Sequence, residues 1–145
     1  MNEVDQYLAG GLVDPMPMDR LKSELCKLPQ YQPETKHYFH AGMYCREVFR
    51  HAGVALVGKV HKKEHFYVVA SGTIILNGGR HITGPAVLEC TPGTQRAVYS
   101  VTDAVCMTFH ITDAKTVEEA EKELVEDDPM SMYGPGNMLK ALEAS

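Results

Sequence analysis

Long apolar runs are absent from this chain of 145 residues. No stretch approaches the roughly 20 apolar residues that a membrane-spanning helix requires. The first six residues, 1–6, have neither the basic flank nor the apolar core of a secretory leader. These absences argue against a membrane partner, and we expect a cytoplasmic protein.

Paired cysteines are absent too. The four cysteines stand at positions 26, 45, 90 and 106, and no C-x-x-C pair occurs. This spacing argues against a zinc ribbon and against a thioredoxin-like redox motif, so we expect reduced and mostly packed thiols. The chain also lacks a Walker-type glycine loop, a nucleophile elbow, a dinucleotide-binding fingerprint and EF-hand spacing.

Positive charge is in the minority. Fourteen lysines and arginines stand against nineteen aspartates and glutamates, which gives a formal net charge of −5. Binding of long nucleic acid is therefore not favoured. Any cationic site must be local.

The composition and length predict one globular domain in three parts. We expect an N-terminal arm and helix over 1–43, a β-barrel over 44–112, and a C-terminal helix and tail over 113–145. In the first part, Met18, Leu21, Leu25 and Leu28 share one helical face, and Pro29 ends the pattern. That apolar face is expected to cover one side of a sheet.

The middle of the chain has the composition of an all-β core. Short β-branched and aromatic runs alternate with glycine and proline, which predicts strands at 45–49, 54–60, 66–70, 73–76, 86–90, 96–100 and 105–111. Asn77, Gly78 and Gly79 separate two such runs and predict a hairpin turn. This spacing of short strands is typical of a closed barrel or a jelly roll.

A capping-box pattern predicts the C-terminal helix. Thr116 is placed to accept a hydrogen bond from the first turn, and Glu119 is placed to reach back. Val117, Ala120 and Leu124 then form the apolar stripe of that helix.

Two histidines are the most informative feature of the chain. If His61 ends one strand and His65 begins the next, a short turn joins them and both rings point the same way. A later stretch, Pro92-Gly93-Thr94-Gln95-Arg96, begins with a Pro-Gly turn and ends in Arg96. Together these residues predict a site inside the barrel.

The segment that carries them resembles the cupin superfamily, whose first motif is G-x5-H-x-H-x3-4-E-x6-G. Anchored on Gly72, His65 falls at the glutamate position, His61 at the second histidine position and Lys59 at the first. Arg96 falls at the histidine position of the second motif, G-x5-P-x-G-x2-H-x3-N. The resemblance covers about half of the chain. It implies a mainly β fold, a single cupin-type antiparallel β-barrel (jelly roll) with short N-terminal and C-terminal helices.

A closer similarity is to small cupin-like proteins of bacteriophages and prophages. It rests on the runs His37-Tyr-Phe, Gly58-Lys-Val-His61-Lys-Lys-Glu-His65, Pro92-Gly-Thr-Gln-Arg96 and Thr108-Phe-His110. The resemblance implies a viral protein in the cytoplasm of a bacterial host. The superfamily and the apolar, breaker-rich termini suggest a homodimer.

Cupin enzymes usually hold iron, manganese, zinc or nickel with three histidines and one glutamate. Lys59 and Arg96 occupy two of those ligand positions here, and neither offers a lone pair to a metal. A metal site would therefore need His61, His65 and a third ligand. The candidates for that ligand are His110, Glu64, Glu89, His51 and His81.

The same positions suit an anion. Lys59, His61, His65 and Arg96 would converge as hydrogen-bond donors for a phosphate or carboxylate, and no cofactor would be needed. Tyr44, Tyr67 and Tyr99 are available nearby in sequence to stack on a ring or to close the mouth. The alternative for Lys59 and Arg96 is that they extend to the barrel rim and pair with surface carboxylates or solvent.

Three functions follow from these interpretations. The favoured one is a non-enzymatic cupin that captures an anionic, nucleotide-like small molecule, by analogy a host signal that a phage would sequester. The second is a metal-dependent isomerase, epimerase or dioxygenase, with Lys59 as acid or base. The third is a structural phage protein with a filled barrel.

Overall fold

The structure is a computed structural model, and it describes residues 18–27, 31–129, 131 and 133–138. Two helices and nine strands make up the regular structure of these residues. The helices are α1, Met18–Cys26, and α2, Val117–Leu124, and a 3₁₀ turn follows at Pro135–Asn137. The strands, β1 to β9 in chain order, are Glu34–His40, Met43–Arg50, Ala55–Val57, His65–Ser71, Thr73–Leu76, Arg80–Thr83, Ala86–Cys90, Ala97–Ser100 and Ala104–Ile111.

Two antiparallel sheets form the barrel. One has the strand order β1-β2-β9-β4-β7 and the other has the order β3-β8-β5-β6. Side chains alternate across each strand, so every second residue faces the interior. Val69, Ile74, Val98 and Cys106 pack between the sheets, and each is at most 2% exposed. The predicted fold class, a mainly β antiparallel barrel with two short helices, is confirmed.

All seven predicted strands form, although the one at 54–60 is shortened to Ala55–Val57, and two further strands extend the sheets. The turn at Asn77–Gly79 joins β5 to β6, and Gly78 and Gly79 both adopt positive φ. Strand β1 lies within the segment 1–43, where an arm and a helix were predicted. Its sequence, ETKHYFH, alternates between exposed and half-buried residues and carries too few apolar side chains to show a strand pattern.

Both helices pack against the sheets through their apolar faces. In α1, Leu21 and Leu25 are buried against Val57 and Ala97, so the predicted apolar stripe covers the β3–β8 edge. Leu28, Pro29 and the arm at 1–17 lie outside the described residues. Thr116 caps α2 by accepting a hydrogen bond from the Glu119 amide, as predicted. No helix in the described part of the chain is long and apolar enough to cross a membrane.

The outward face of the five-stranded sheet carries large apolar side chains. Tyr38, Phe66, Val87 and Ile111 are between 48% and 82% exposed there. The predicted homodimer stays a prediction.

Candidate functional site

Three histidines reach the barrel interior from different parts of the chain. His61 is held by backbone hydrogen bonds to the Thr94 carbonyl and the Gly93 amide, and it forms an isolated bridge with Val125. His65 begins β4 and His110 lies near the end of β9. All three are buried.

The three imidazole rings stack on one another. Ring centroids are 4.2 Å apart for His61 and His65, 4.6 Å for His65 and His110, and 5.1 Å for His61 and His110. Each ring offers a nitrogen that lies within 4.8 Å of the other two. His110 is the only one of the five candidate third ligands that joins this cluster within the described residues.

The Arg96 guanidinium joins two of these rings. Its Nη1 donates to Nε2 of His65 at 2.9 Å, and its Nη2 donates to Nε2 of His61 at 3.2 Å. Its Cζ lies 4.2 Å from the centroid of the Tyr67 ring, which gives a cation–π contact. Arg96 is only 9% exposed, so the alternative in which it extends to the barrel rim is wrong. The reason is that the two imidazoles and the Tyr67 ring bind the guanidinium inside.

The hydrogen bonds fix the protons on the rings. Because an arginine N–H can only donate, Nε2 of His61 and Nε2 of His65 must accept and each proton must lie on Nδ1. The His65 Nδ1 then donates to the Lys63 carbonyl at 3.0 Å, and the His61 Nδ1 donates to Nε2 of His110 at 3.1 Å. Every acceptor nitrogen in this cluster is thus already engaged.

Burial keeps the three histidines neutral. It lowers the pKa of His61 to about 2, and the nearby charge of Arg96 lowers it further in the same direction. Burial also lowers the pKa of His110 to about 3 and lowers the pKa of His65. The net positive charge of the cluster therefore resides on Arg96, whose pKa is also lowered by burial but from a very high ordinary value.

A cavity of about 90 Å³ lies beside this cluster. Four basic side chains line it, and they are Arg46, Arg50, Lys59 and Arg96. The one carboxylate in its described lining is Glu121. Leu56 and Val98 supply an apolar wall. The cavity is therefore strongly cationic in a chain whose net charge is negative.

One oxygen of this single carboxylate is already paired. Glu121 is 8% exposed, and its Oε1 accepts from Arg46 Nη2 at 2.6 Å and from the Gly136 amide at 3.1 Å. Among the described residues, Arg50, Lys59 and Arg96 have no carboxylate within 4.0 Å. Three positive charges of the cavity thus have no countercharge in this part of the chain.

Two donor atoms in the cavity wall are also unsatisfied. Arg50 Nε and the Tyr67 hydroxyl are buried and make no hydrogen bond of normal geometry. Burial raises the pKa of Tyr67, so its phenol stays protonated and can donate. Buried polar groups without a partner are uncommon and point to a bound group or a strained site.

The structure separates the predicted ligand-binding residues into two groups. Lys59, His61, Tyr67 and Arg96 line the cavity, and His65 contacts it through Arg96. Tyr99 does not line the cavity. Since side chains alternate along β8, Val98 faces the cavity while Tyr99 packs against the α1 cluster that contains Leu21.

Three residues of the site escaped prediction. Arg46 and Arg50 lie on the inward face of β2, together with Tyr44 and Val48, and Glu121 lies on α2. The period-two spacing of Tyr44, Arg46, Val48 and Arg50 was the available signal. This spacing was hard to recognise as the inward face, because the outward face of the same strand carries apolar residues as well.

The cluster fits a metal only in part. Three neutral histidines at this spacing are the donor set of many transition-metal sites. The Arg96 guanidinium, however, engages the free lone pairs of His61 and His65 and brings a positive charge to the place where a cation would bind. With Arg96 in this position, the three histidines do not fit a divalent metal.

Comparisons with known proteins find likeness in solved structures alone. No protein-family model and no curated protein matches the chain. An acetylacetone dioxygenase from Acinetobacter johnsonii matches at 10% identity and a TM-score of 0.47, over 58% of this chain and 65% of the dioxygenase. The cupin domain of an XRE-family transcriptional regulator from Enterobacter cloacae matches at 14% identity and a TM-score of 0.47, over 59% of this chain and 100% of that domain.

A cupin superfamily protein from Desulfitobacterium hafniense covers more of the chain. It matches at 11% identity and a TM-score of 0.47, over 70% of this chain and 94% of that one. Since one fold serves many functions, the function of this chain has to be inferred from its own residues. By its sheet order, the chain has the mainly β, cupin-type barrel fold that the sequence predicted.

Proposed function

We propose that this protein binds a small anionic molecule, bearing a phosphate or a carboxylate, inside the barrel. The observation that supports the proposal is the cavity itself. Arg50, Lys59 and Arg96 line it without a carboxylate partner among the described residues, and Glu121 is already paired with Arg46.

Electrostatics explains why such a cavity favours an anion. Removing a charge from water is costly unless a countercharge and hydrogen bonds replace the water. Three basic groups in one small cavity also repel each other. A bound anion offsets both costs, and charge-assisted hydrogen bonds to it are about twice as strong as neutral ones.

The size of the cavity limits the ligand. One water molecule needs about 10–15 Å³ of such a cavity. A cavity of 90 Å³ therefore holds roughly six to nine waters, or on the order of a dozen non-hydrogen atoms of a ligand. A sugar phosphate or a small organic acid has this size. The predicted nucleotide-like ligand would place its phosphate inside and its base at the mouth.

The shape of the lining suggests how the ligand is oriented. The basic groups mark the position of the anionic head, while Leu56 and Val98 form a wall suited to a carbon skeleton. Small-molecule sites commonly combine an apolar lining with a few polar groups that fix the orientation.

We propose binding rather than catalysis at this site. The acceptor nitrogens of the histidines are already engaged with Arg96 and with one another, so none is free to act as a general base. Capture of a metabolite needs only the donors. The predicted phage origin stays a prediction.

The experiment is a binding titration by isothermal calorimetry with a panel of anions at constant ionic strength. The panel contains inorganic phosphate, ribose 5-phosphate, AMP, citrate and, as the reference salt, chloride. We expect one ligand to bind each chain, and Lys59→Met to weaken binding about tenfold or more. The matched control is Lys36→Met, because this lysine side chain is 71% exposed on the outward face of β1. Equal weakening in both variants, or no binding by any anion of the panel, would contradict the proposal.

A metal-dependent reaction at the same cluster is the alternative that the histidine triad raises. Elemental analysis of protein purified without chelator tests it. A stoichiometric transition metal that disappears in a variant carrying both His61→Ala and His65→Ala would favour the metal-dependent enzyme over anion capture.

A further inference from the structure

The Arg96 guanidinium occupies the lone-pair directions of two nitrogens in the three-histidine cluster. Its two Nη atoms lie 2.9 Å and 3.2 Å from Nε2 of His65 and Nε2 of His61. The third nitrogen, Nε2 of His110, accepts a hydrogen bond from Nδ1 of His61 at 3.1 Å. The arrangement is that of a cation held by two imidazoles, with a guanidinium in the place where a metal ion would bind, and the third imidazole is hydrogen-bonded to that of His61.

We infer that Arg96 serves as a built-in substitute for a metal ion and excludes divalent metals from the histidine cluster of this protein. The guanidinium supplies the positive charge and the two contacts to lone pairs that a metal would otherwise supply. The inference concerns the histidine cluster and does not rest on the proposed anion site.

Geometry makes the two cations mutually exclusive. A bound zinc or similar ion lies about 2.0–2.1 Å from each imidazole nitrogen, along the lone pair. In this structure the N–H groups of Arg96 already occupy those directions on His61 and His65. The guanidinium charge would also repel a divalent ion at this distance.

Arg96 is held in place from two further sides. Its guanidinium lies over the Tyr67 ring at 4.2 Å, and its Nη1 is 3.5 Å from Cys90 Sγ. The residue is 9% exposed. The barrel therefore fixes the guanidinium beside the imidazoles, and metal binding would require Arg96 to give up all of these contacts.

The test is to remove the charge and keep the volume. Arg96→Met leaves Nε2 of His61 and Nε2 of His65 free to bind a metal ion. The probe is Co²⁺, because its visible absorption reports low-symmetry coordination by nitrogen. We expect the natural protein to show no such band with one equivalent of Co²⁺. We expect Arg96→Met to bind one Co²⁺ per chain at least a hundredfold more tightly than the natural protein.

Two controls separate charge from shape. Arg96→Lys keeps a positive charge at the cluster and should still exclude Co²⁺. His110→Gln in the Arg96→Met background removes the third ligand and should weaken Co²⁺ binding at least tenfold. If the natural protein binds Co²⁺ within tenfold of Arg96→Met, or if Arg96→Met gains no binding while it remains folded by circular dichroism, the inference is wrong.

A second measurement uses the natural protein and does not depend on the folding of a variant. Nitrogen-15 spectra of the histidine rings are recorded with and without one equivalent of Zn²⁺. Unchanged Nε2 shifts for His61 and His65 support the exclusion of metal, whereas a change in either shift overturns it. Both tests use a metal in buffer free of phosphate, so their failure would leave the anion titrations unaffected.

Discussion

Replacement of Arg96 by methionine should weaken anion binding strongly while it leaves the barrel folded. Hydrogen bonds that involve a charged group contribute about 1.5–3 kcal/mol each. Loss of one such contact to the ligand corresponds to roughly a 10- to 150-fold weaker dissociation constant. Methionine fills much of the volume that the arginine side chain occupies, so no large cavity forms.

The stability of Arg96→Met should stay close to that of the natural protein. Arg96 is a buried cation without a carboxylate partner, and its removal relieves a desolvation cost. The Nε2 atoms of His61 and His65 lose their donor, which costs about 1–3 kcal/mol for a buried acceptor. These effects oppose each other, and we expect a net change within about 1 kcal/mol in the free energy of unfolding.

Arg46→Met is the informative comparison, because Arg46 has a carboxylate partner. Its removal leaves Glu121 buried without its countercharge, and breaking such a pair costs about 3–5 kcal/mol. For a chain of this size, that loss lowers the melting temperature by roughly 10 °C or more. Urea unfolding measures both variants without ligand, and calorimetric titration with inorganic phosphate and ribose 5-phosphate measures their affinity.

A reversal of this pattern would refute the reasoning. If Arg96→Met unfolds as readily as Arg46→Met, then Arg96 is a structural residue whose contacts stabilise the barrel. If Arg96→Met retains full affinity for the anions that bind the natural protein, then the ligand does not contact the guanidinium.

Three further predictions concern the scaffold and its pH dependence. Gly72→Ala should destabilise the fold by roughly 2–4 kcal/mol in urea unfolding, because Gly72 has φ +85° and a Cβ there would overlap the Asp103 carbonyl oxygen. Thr116→Ala should cost about 1 kcal/mol in the same assay, since it removes the cap of α2. Between pH 6 and 5 the metal-free protein should lose about 2–3 kcal/mol, because His61 and His110 take up protons below pH 6.5 in the unfolded state but stay neutral in the folded one. The loss continues toward the folded pKa values of about 2 and about 3, and His110→Gln should reduce the slope because one of the histidines with a lowered pKa is removed. An unchanged slope in that variant would contradict the assignment.

The histidine pair could be predicted because its information is local. His61 and His65 are joined by a short turn, so strand periodicity alone places both rings on one side. Arg96 was found through its register with a family motif. His110 could only be named as one of five candidates, because its position depends on the pairing of β9 with β2 and β4.

The charge balance of the cavity could not be predicted from local sequence. Arg46, Arg50 and Glu121 meet across elements up to 75 residues apart, and only tertiary packing brings them together. The same limit explains Tyr99. Tyr99 is close to Arg96 in the sequence, which suggested that it belongs to the site. Because side chains alternate between the two faces of β8, the Tyr99 side chain instead packs against the α1 cluster.

The structure of the protein with a bound oxyanion tests the central claim most directly. A crystal grown or soaked with selenate, an oxyanion that selenium's anomalous scattering identifies, would locate the site without assumptions about the natural ligand. We predict an anomalous peak inside the cavity, within hydrogen-bond distance of Arg96 and Lys59. Peaks confined to the outer surface, with the cavity free of selenium, would contradict the claim that this barrel binds an anion.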